Sequence, residues 1–135
     1  MPKVLIAADS KDVRDEVKAV LDGRDFEVVE VPSGQAVRQV AAEQVPDLVV
    51  VDLQMGSMGG VATCLDLRLE ESAGRLPHIP VLMLLDRRAD VFLARRANCD
   101  GWVVKPLDPV RLRRAVRQLL AGQTFHDESY KPVSV

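Results

Sequence analysis

An α/β fold built on a parallel sheet is predicted by three features of the sequence. Five short apolar runs recur along the chain, segments with helical periodicity separate them, and most of the runs contain no polar residue. Parallel strands need crossover helices, which bury them on both faces and make their sequences continuously apolar. With 135 residues, 47% of them hydrophobic, the chain has the size of one domain with one core.

Each apolar run has a predicted place in the sheet. The second run, FEVVEV, alternates with polar residues and the fifth, WVV, is short, and both features favour edge strands. With these edges the strand order is 2-1-3-4-5, that of a doubly wound, flavodoxin-like sheet with five helices on its two faces. The predicted strands are residues 4–8, 26–31, 48–53, 81–85 and 102–104.

Helix starts between the runs are marked by capping residues. Ser10 and Ser33 stand before segments whose apolar residues are three or four positions apart. Asp108 gives the clearest signal, because Pro109 follows it at the first helical position. The predicted domain covers residues 1–121.

The segment 122–135 is predicted to be a flexible tail, since it has no periodicity and mixes Gly, Pro, Ser and charged residues. His126 within it has no predicted partner. No linker to a second domain is visible, so the chain is expected to act alone, without an output module. No apolar run reaches the eighteen or so residues of a membrane span, and a cytoplasmic location is predicted.

Charge is unevenly distributed along the chain. Residues 1–86 contain 8 Lys and Arg against 15 Asp and Glu, whereas residues 87–117 contain 9 against 3. The basic residues fall on the predicted fourth and fifth helices and are expected to form a face for an acidic protein partner. Nucleic acid is a weaker alternative, because no recognition motif accompanies the charge. The arginines concerned are Arg87, Arg88, Arg95, Arg96, Arg111, Arg113, Arg114 and Arg117.

Charged residues also stand at the ends of three predicted strands. Asp9 follows the first strand, Asp52 closes the third, and Lys105 follows the fifth. Asp9 taken alone is explained by helix capping, but Asp52 ends a run of three valines, where an unpaired charge is costly. In the predicted strand order these residues meet at the edge where open α/β sheets bind ligands.

This set of residues suits phosphoryl transfer. Two carboxylates and a nearby backbone carbonyl offer the oxygen ligands that Mg²⁺ prefers. A carboxylate beside that ion can attack a phosphoryl group while the ammonium neutralises its oxygens. Flavin binding at the same edge is a distant alternative, because the loop ADSKD lacks the Ser, Thr and Gly residues expected to cradle a phosphate.

Two motifs resemble the receiver domain of bacterial two-component response regulators. They are PDLVVVDLQMGSMGG, residues 46–60, and DGWVVKPLDP, residues 100–109, and the resemblance extends from residue 3 to about residue 120. It implies a phosphoacceptor that signals through protein contacts and catalyses its own phosphorylation and dephosphorylation, rather than a conventional enzyme.

The resemblance also implies a role for each site residue. Asp52 accepts the phosphoryl group from a histidine kinase or phosphotransfer protein. Asp9, Asp52 and the carbonyl of Gln54 bind Mg²⁺, and Lys105 pairs with the phosphate. The face formed by the fourth helix, fifth strand and fifth helix is where the family meets partners or dimerises, so a homodimer is a further expectation.

The sequence departs from the family at several of these positions. Ala8 replaces the first of two adjacent acids, which is expected to weaken Mg²⁺ binding. Leu85 stands where the family has a Ser or Thr hydroxyl that bonds the phosphoryl group, and Trp102 holds the aromatic position that responds to it. Leu85 and Trp102 are therefore the candidate switch residues. Asp86 is open to two interpretations, since it either repels a phosphodonor or replaces the missing acid.

These departures support a rival hypothesis. A pseudo-receiver would keep the fold and bind partners through its basic face regardless of phosphorylation. Ala8, Leu85 and Asp86 motivate this alternative.

Overall fold

The structure is a computed structural model that describes residues 1–21, 23, 25–56 and 58–128. Strands and helices alternate along the chain, and a short 3-10 turn at Arg88–Asp90 precedes the fourth helix. The elements are β1 Lys3–Ala7, α1 Lys11–Leu21, β2 Glu27–Val31, α2 Gly34–Glu43, β3 Leu48–Asp52, α3 Gly60–Ser72, β4 Val81–Leu85, α4 Val91–Arg96, β5 Gly101–Val104, α5 Pro109–Leu120 and β6 Phe125–His126.

All neighbouring strands of the sheet are parallel, in the order β2-β1-β3-β4-β5-β6. The order predicted for the first five strands is confirmed. Strand β3 lies between β1 and β4, and all five of its residues are buried. The carboxyl ends of β1, β3, β4 and β5 therefore meet at one edge of the molecule.

The core has two parts, one on each face of the sheet, because strand side chains alternate between the faces. On one face Ile6 and Val50 pack with Val17 of α1 and Leu112 of α5. Helices α2, α3 and α4 cover the other face through Val37, Ala41, Cys64, Leu67, Val91 and Ala94. This arrangement fixes the strand ends that carry the charged residues.

Local capping explains where the helices begin. Ser10 Oγ accepts a hydrogen bond from the Val13 amide at 3.3 Å, and Ser33 Oγ accepts one from the Ala36 amide at the same distance. Asp108 accepts bonds from two amides of the first turn of α5, and these bonds lower the pKa of its carboxyl. A serine cap such as Ser10 or Ser33 stabilises its helix by about 1 kcal/mol. The predicted helix starts are thereby confirmed.

The structure differs from the sequence expectation at the end of the chain. Phe125 and His126 form β6, which pairs with Gly101 and Trp102 of β5. The prediction that β5 is an edge strand is therefore wrong. These two residues of the predicted tail pair with the sheet, and the flexibility of the tail stays a prediction. Strand β6 could not be predicted from the sequence because two residues are too few to show an alternating pattern. Residues 129–135 of the predicted tail lie outside the described residues.

Within the part of the chain that the structure describes, no helix combines the length and apolar character needed to cross a membrane.

Candidate functional site

Four charged residues lie at the carboxyl edge of the sheet. Asp52 is the last residue of β3, Asp9 lies two residues beyond β1, Asp86 directly follows β4, and Lys105 directly follows β5. The strand register aligns Asp52 with Leu84 and Leu85 with Val104. Their proximity is thus a consequence of the strand order.

Asp52 and Lys105 form an ion pair at this edge. Lys105 Nζ donates a hydrogen bond to Asp52 Oδ1 at 2.8 Å, and the Asp52 side chain is only 5% exposed. Burial raises the pKa of Asp52; Lys105 opposes this effect, and the charges of Asp86 and Asp9 reinforce it. The net result is a carboxyl whose pKa lies above its ordinary value.

Lys105 contacts a second carboxylate as well. Its Nζ donates to Asp86 Oδ1 at 3.0 Å. Burial alone would lower the Lys105 pKa, but the bonds to Asp52 and Asp86 outweigh it and leave the pKa raised. Asp86 therefore lies on the lysine side of the pocket, and it borders a cleft of about 380 Å³ that Arg87, Arg88 and Arg111 also line.

Asp9 lies on the opposite side, where its carboxylate is tied to the loop after β3. Asp9 Oδ2 accepts a hydrogen bond from the Gly56 amide at 3.0 Å. Its charge is one of the causes that raise the Asp52 pKa, so the two carboxylates interact. Gln54, two residues beyond Asp52, is exposed in the same loop.

The oxygen donors on the Asp9 side of the pocket suit Mg²⁺ better than a metal whose ligands must all come from the protein. Asp9, Asp52 and the Gln54 carbonyl are hard oxygen ligands of the kind that Mg²⁺ accepts while keeping several waters. Among the described residues, no group of three or more His, Cys, Asp or Glu side chains could hold a metal ion by itself. Ala8 is fully buried and supplies no side-chain oxygen, while its carbonyl accepts a bond from Arg14 at 2.6 Å.

The two candidate switch residues are buried on the α2-α3-α4 face of the sheet. Leu85, at the end of β4, is fully buried, and Trp102 in β5 is 1% exposed. The Arg95 guanidinium lies 5.0 Å from the Trp102 ring centroid. His126 stacks on the same ring, with centroids 4.2 Å apart and planes 5° apart. The indole ring therefore points inward, and its Nε1 has no hydrogen-bond partner among the described residues.

The eight arginines of the predicted basic face have different neighbours. Arg113 donates to the Val20 carbonyl at 2.7 Å, and Arg117 lies 3.6 Å from Asp25, so both lie toward the end of α1. Arg113 and Arg117 also line one cleft together with Arg114, and a single partner face for the eight arginines stays a prediction. Arg111 and Arg114 line a cleft beside β6, Arg95 lies over Trp102, and the cleft next to Lys105 is lined by Arg87, Arg88 and Arg111.

Two contact residues near this surface were missed from the sequence. The sequence predicts no partner for His126 and places Asp127 in the tail. Asp127 is 2% exposed and accepts a hydrogen bond from the Val104 amide at 2.9 Å. A signal was present, since an aromatic, an imidazole and two acids stand together in FHDE, but no periodicity marked it.

Comparison with protein families finds a match over most of the chain. The sequence model of the response regulator receiver domain matches residues 4–117.

Curated relatives from bacteria have similar sequences. The nitrate/nitrite response regulator protein NarL of Escherichia coli (strain K12) is 31% identical over 132 residues, which are 96% of this chain and 60% of NarL. The DNA-binding dual master transcriptional regulator RpaA of Synechocystis sp. is 31% identical over 122 residues, 89% of this chain and 49% of RpaA. The chain therefore spans about half to three fifths of these relatives.

Solved structures share the fold. The signal receiver domain of a signal transduction histidine kinase from Syntrophus aciditrophicus superposes with a TM-score of 0.80 at 25% identity, covering 100% of this chain and 98% of that one. A LuxR-family two-component response regulator from Aurantimonas sp. SI85-9A1 gives a TM-score of 0.83 at 24% identity, covering 96% and 92%.

Proposed function

The chain belongs to the response regulator receiver domain family, and on that premise we propose that Asp52 accepts a phosphoryl group from a histidine kinase or phosphotransfer protein. The observation that carries this proposal is the bond between Lys105 Nζ and Asp52 Oδ1 at the switch point of the sheet. This bond holds the Asp52 carboxylate beside an ammonium, and the neighbouring acids Asp9 and Asp86 are exposed to solvent. Action as a separate chain without an output module stays a prediction from the sequence.

The transfer step follows from the chemistry of the carboxylate. An Asp52 oxygen forms a bond to phosphorus while the bond from phosphorus to the donor's histidine nitrogen breaks, and an acyl phosphate results. Lys105 is already within hydrogen-bonding distance of Asp52, so its ammonium is positioned to neutralise charge on the phosphoryl oxygens. The catalytic residues of the proposal are therefore Asp52 and Lys105.

Asp9, Asp52 and the Gln54 carbonyl are the groups that would hold Mg²⁺. When bound, the ion supplies charge neutralisation for the transferring phosphoryl group. The bond from Gly56 to Asp9 keeps the loop that carries Gln54 close to the end of β1. Because Ala8 adds no oxygen to this side, we expect weaker Mg²⁺ binding than a pair of adjacent acids would give.

We expect phosphorylation of Asp52 to change the conformation around Trp102 only weakly. Leu85 cannot donate a hydrogen bond to a phosphoryl oxygen, and a hydrogen bond to a charged group is worth about 1.5–3 kcal/mol. Moving a switch from 1:99 to 99:1 needs about 5.5 kcal/mol of differential affinity. Loss of the hydroxyl therefore removes a large part of the energy that could couple Asp52 to Trp102.

A pseudo-receiver is the second candidate, and the Asp86 contact favours it. Asp86 places a second carboxylate on the one ammonium of the pocket, which disfavours the approach of an anionic phosphodonor. In this alternative, binding of an acidic partner or of a second copy through the exposed arginines Arg88, Arg96 and Arg114 is unaffected by Asp52→Asn.

Mass spectrometry distinguishes the two candidates. The full chain is incubated with Mg²⁺ and acetyl phosphate, and the intact mass is expected to rise by one phosphoryl group. Asp52→Asn should lose this addition, whereas Asp12→Asn, which changes an exposed acid of α1, should keep it. The proposal fails if wild type gains no phosphoryl group, or if Asp52→Asn gains as much as wild type.

A further inference from the structure

The β5 edge of the sheet carries a short strand from the end of the chain. Phe125 donates its amide hydrogen to the Asp100 carbonyl at 3.2 Å, and Asp127 donates its own to the Trp102 carbonyl at 3.3 Å. These two bonds flank β6 and continue the parallel ladder beyond β5. The β5 backbone is thus covered by a segment of the same chain.

Asp127 fixes the register of this strand. Its Oδ2 accepts from the Val104 amide at 2.9 Å, and its Oδ1 lies 3.5 Å from Arg111 Nε on α5. Val104 is the last residue of β5, so the carboxylate takes the place of the next backbone acceptor in the ladder. A buried carboxylate with these contacts is a specific anchor rather than an incidental tail contact.

His126 covers the single tryptophan of the chain. In register, Trp102 lies between Met83 of β4 and His126 of β6, and the imidazole stacks on the indole ring. The Arg95 guanidinium also lies over this ring. These contacts leave Trp102 1% exposed, although the strand that covers it is two residues long.

Gly101 allows the close approach of this strand. A Cβ at this position would lie 2.7 Å from the Phe125 carbonyl oxygen, 3.0 Å from Leu119 Cδ1 and 3.3 Å from the Phe125 Cβ. Any side chain here would displace Phe125, because the first of these distances is shorter than real Cβ contacts. The pairing of β5 with β6 thus depends on a glycine in the strand.

We propose that the β5 edge between α4 and α5 is a strand-binding groove, and that the chain's own segment Phe125–Glu128 is the ligand that occupies it. The groove selects an extended segment with a planar ring followed by an acid, for stacking on Trp102 and for the Val104 amide and Arg111. While the segment is in place, no second copy or partner can pair with the β5 backbone.

The contacts of the segment suit a reversible cover. Its two flanking backbone bonds are long, at 3.2 and 3.3 Å, and the strand itself has two residues. The Trp102 Nε1 hydrogen is buried without a partner among the described residues, which makes the covered state less favourable. Departure of the segment would let water bond the indole. The proposal does not depend on phosphorylation of Asp52.

The single tryptophan makes the proposal testable in the full chain. We expect Asp127→Ala and His126→Ala to shift Trp102 emission to longer wavelength and to increase its quenching by iodide. In Asp127→Ala the exchange rate of the Val104 amide should rise by about tenfold or more, as loss of a bond to a charged acceptor predicts. Thr124→Ala, an exposed position just before β6, should leave all three signals unchanged.

Two results would overturn the proposal. If both variants keep wild-type emission, quenching and Val104 exchange, the segment does not occupy the groove. If Trp102 burial in wild type decreases on dilution while the Asp127→Ala signal is independent of concentration, the strand comes from a second copy rather than from the same chain. Unchanged far-ultraviolet circular dichroism of the variants separates loss of the strand from loss of the fold, and Gly101→Ala provides an independent way to expel Phe125.

Discussion

On one side of Asp52 the ammonium of Lys105 contacts two carboxylates, whereas on the other side a single carboxylate, Asp9, is tied to the loop after β3. The lysine side has an additional acid, Asp86, and the proposed metal side has an alanine, Ala8, where the family has an acid. The difference suggests that the two halves of one phosphoryl-binding pocket can diverge separately, since each half is supplied by different strand ends.

Among these predictions, removal of the Lys105 ammonium should have the largest effect on the rate of phosphorylation. Lys105→Met leaves Asp52 and Asp86 without their shared cation and leaves the phosphoryl oxygens without a donor. We expect the rate of phosphorylation by acetyl phosphate to fall by about 10²- to 10³-fold, as for the loss of one preorganised donor. Lys11→Met, which removes an exposed lysine of α1, is the control. A fall of less than about threefold would mean that Lys105 only stabilises the fold.

Restoration of the missing acid tests the opposite side of the pocket. Ala8→Asp adds a carboxylate next to Asp9, and we expect Mg²⁺ to bind about 10- to 100-fold more tightly, the range typical of an outer-shell partner. Isothermal titration calorimetry measures this affinity. Ala8→Asn has nearly the same shape without the charge and should gain much less. Equal gains by both variants would contradict the assignment of this side to the metal.

Removal of Asp86 should have a smaller effect. Asp86→Ala frees Lys105 from its second carboxylate, and the pair is partly exposed, so we expect phosphorylation to accelerate by no more than about fivefold. Asp66→Asn, which changes an acid on α3, is the control. Asp90→Ala is not suitable for this purpose because Asp90 caps the turn before α4. Slower phosphorylation in Asp86→Ala would instead indicate that Asp86 replaces the missing acid.

The smallest of the expected effects is that of Asp52 on the pH dependence of stability. The Asp52 pKa is raised in the folded state mainly by burial. The unfolded chain therefore releases the Asp52 proton at a lower pH than the folded chain. As the pH rises from the ordinary Asp pKa of about 3.9 toward the raised pKa of the folded state, ionisation of Asp52 lowers the free energy of unfolding. Asp52→Asn should be more stable than wild type at neutral pH, and the difference should disappear below about pH 3.5. Urea unfolding at both pH values measures it, and a gain that persists at low pH would contradict this origin.

Local signals were sufficient to predict most of the fold. Ser33 and Asp108 mark helix starts within three residues of the amides they bind, and β3 is recognisable from its valines alone. Asp52 and Lys105 could be brought together from the sequence because Asp52 ends β3, Lys105 directly follows β5, and the order of the first five strands was predicted.

The remaining contacts depend on long-range packing that leaves no periodic signal. The bond between Asp127 and Val104 joins residues 23 positions apart, and β6 is too short to produce a pattern. Likewise, no local pattern predicts the bond of Arg113 to the Val20 carbonyl, 93 positions away. A charge count places such residues on a helix, but contacts with the neighbouring helix determine the orientation of their side chains.

The most direct test of the central claim is an NMR titration of the full chain with beryllofluoride and Mg²⁺, a mimic of the phosphorylated carboxylate. We predict amide shift changes in the pocket, at Asp9, Asp52, Gly56 and Lys105, with little change at Trp102. Absence of any change in the pocket would contradict the assignment of Asp52 as phosphoacceptor. A change at Trp102 as large as that at Asp52 would contradict the weak coupling inferred from Leu85.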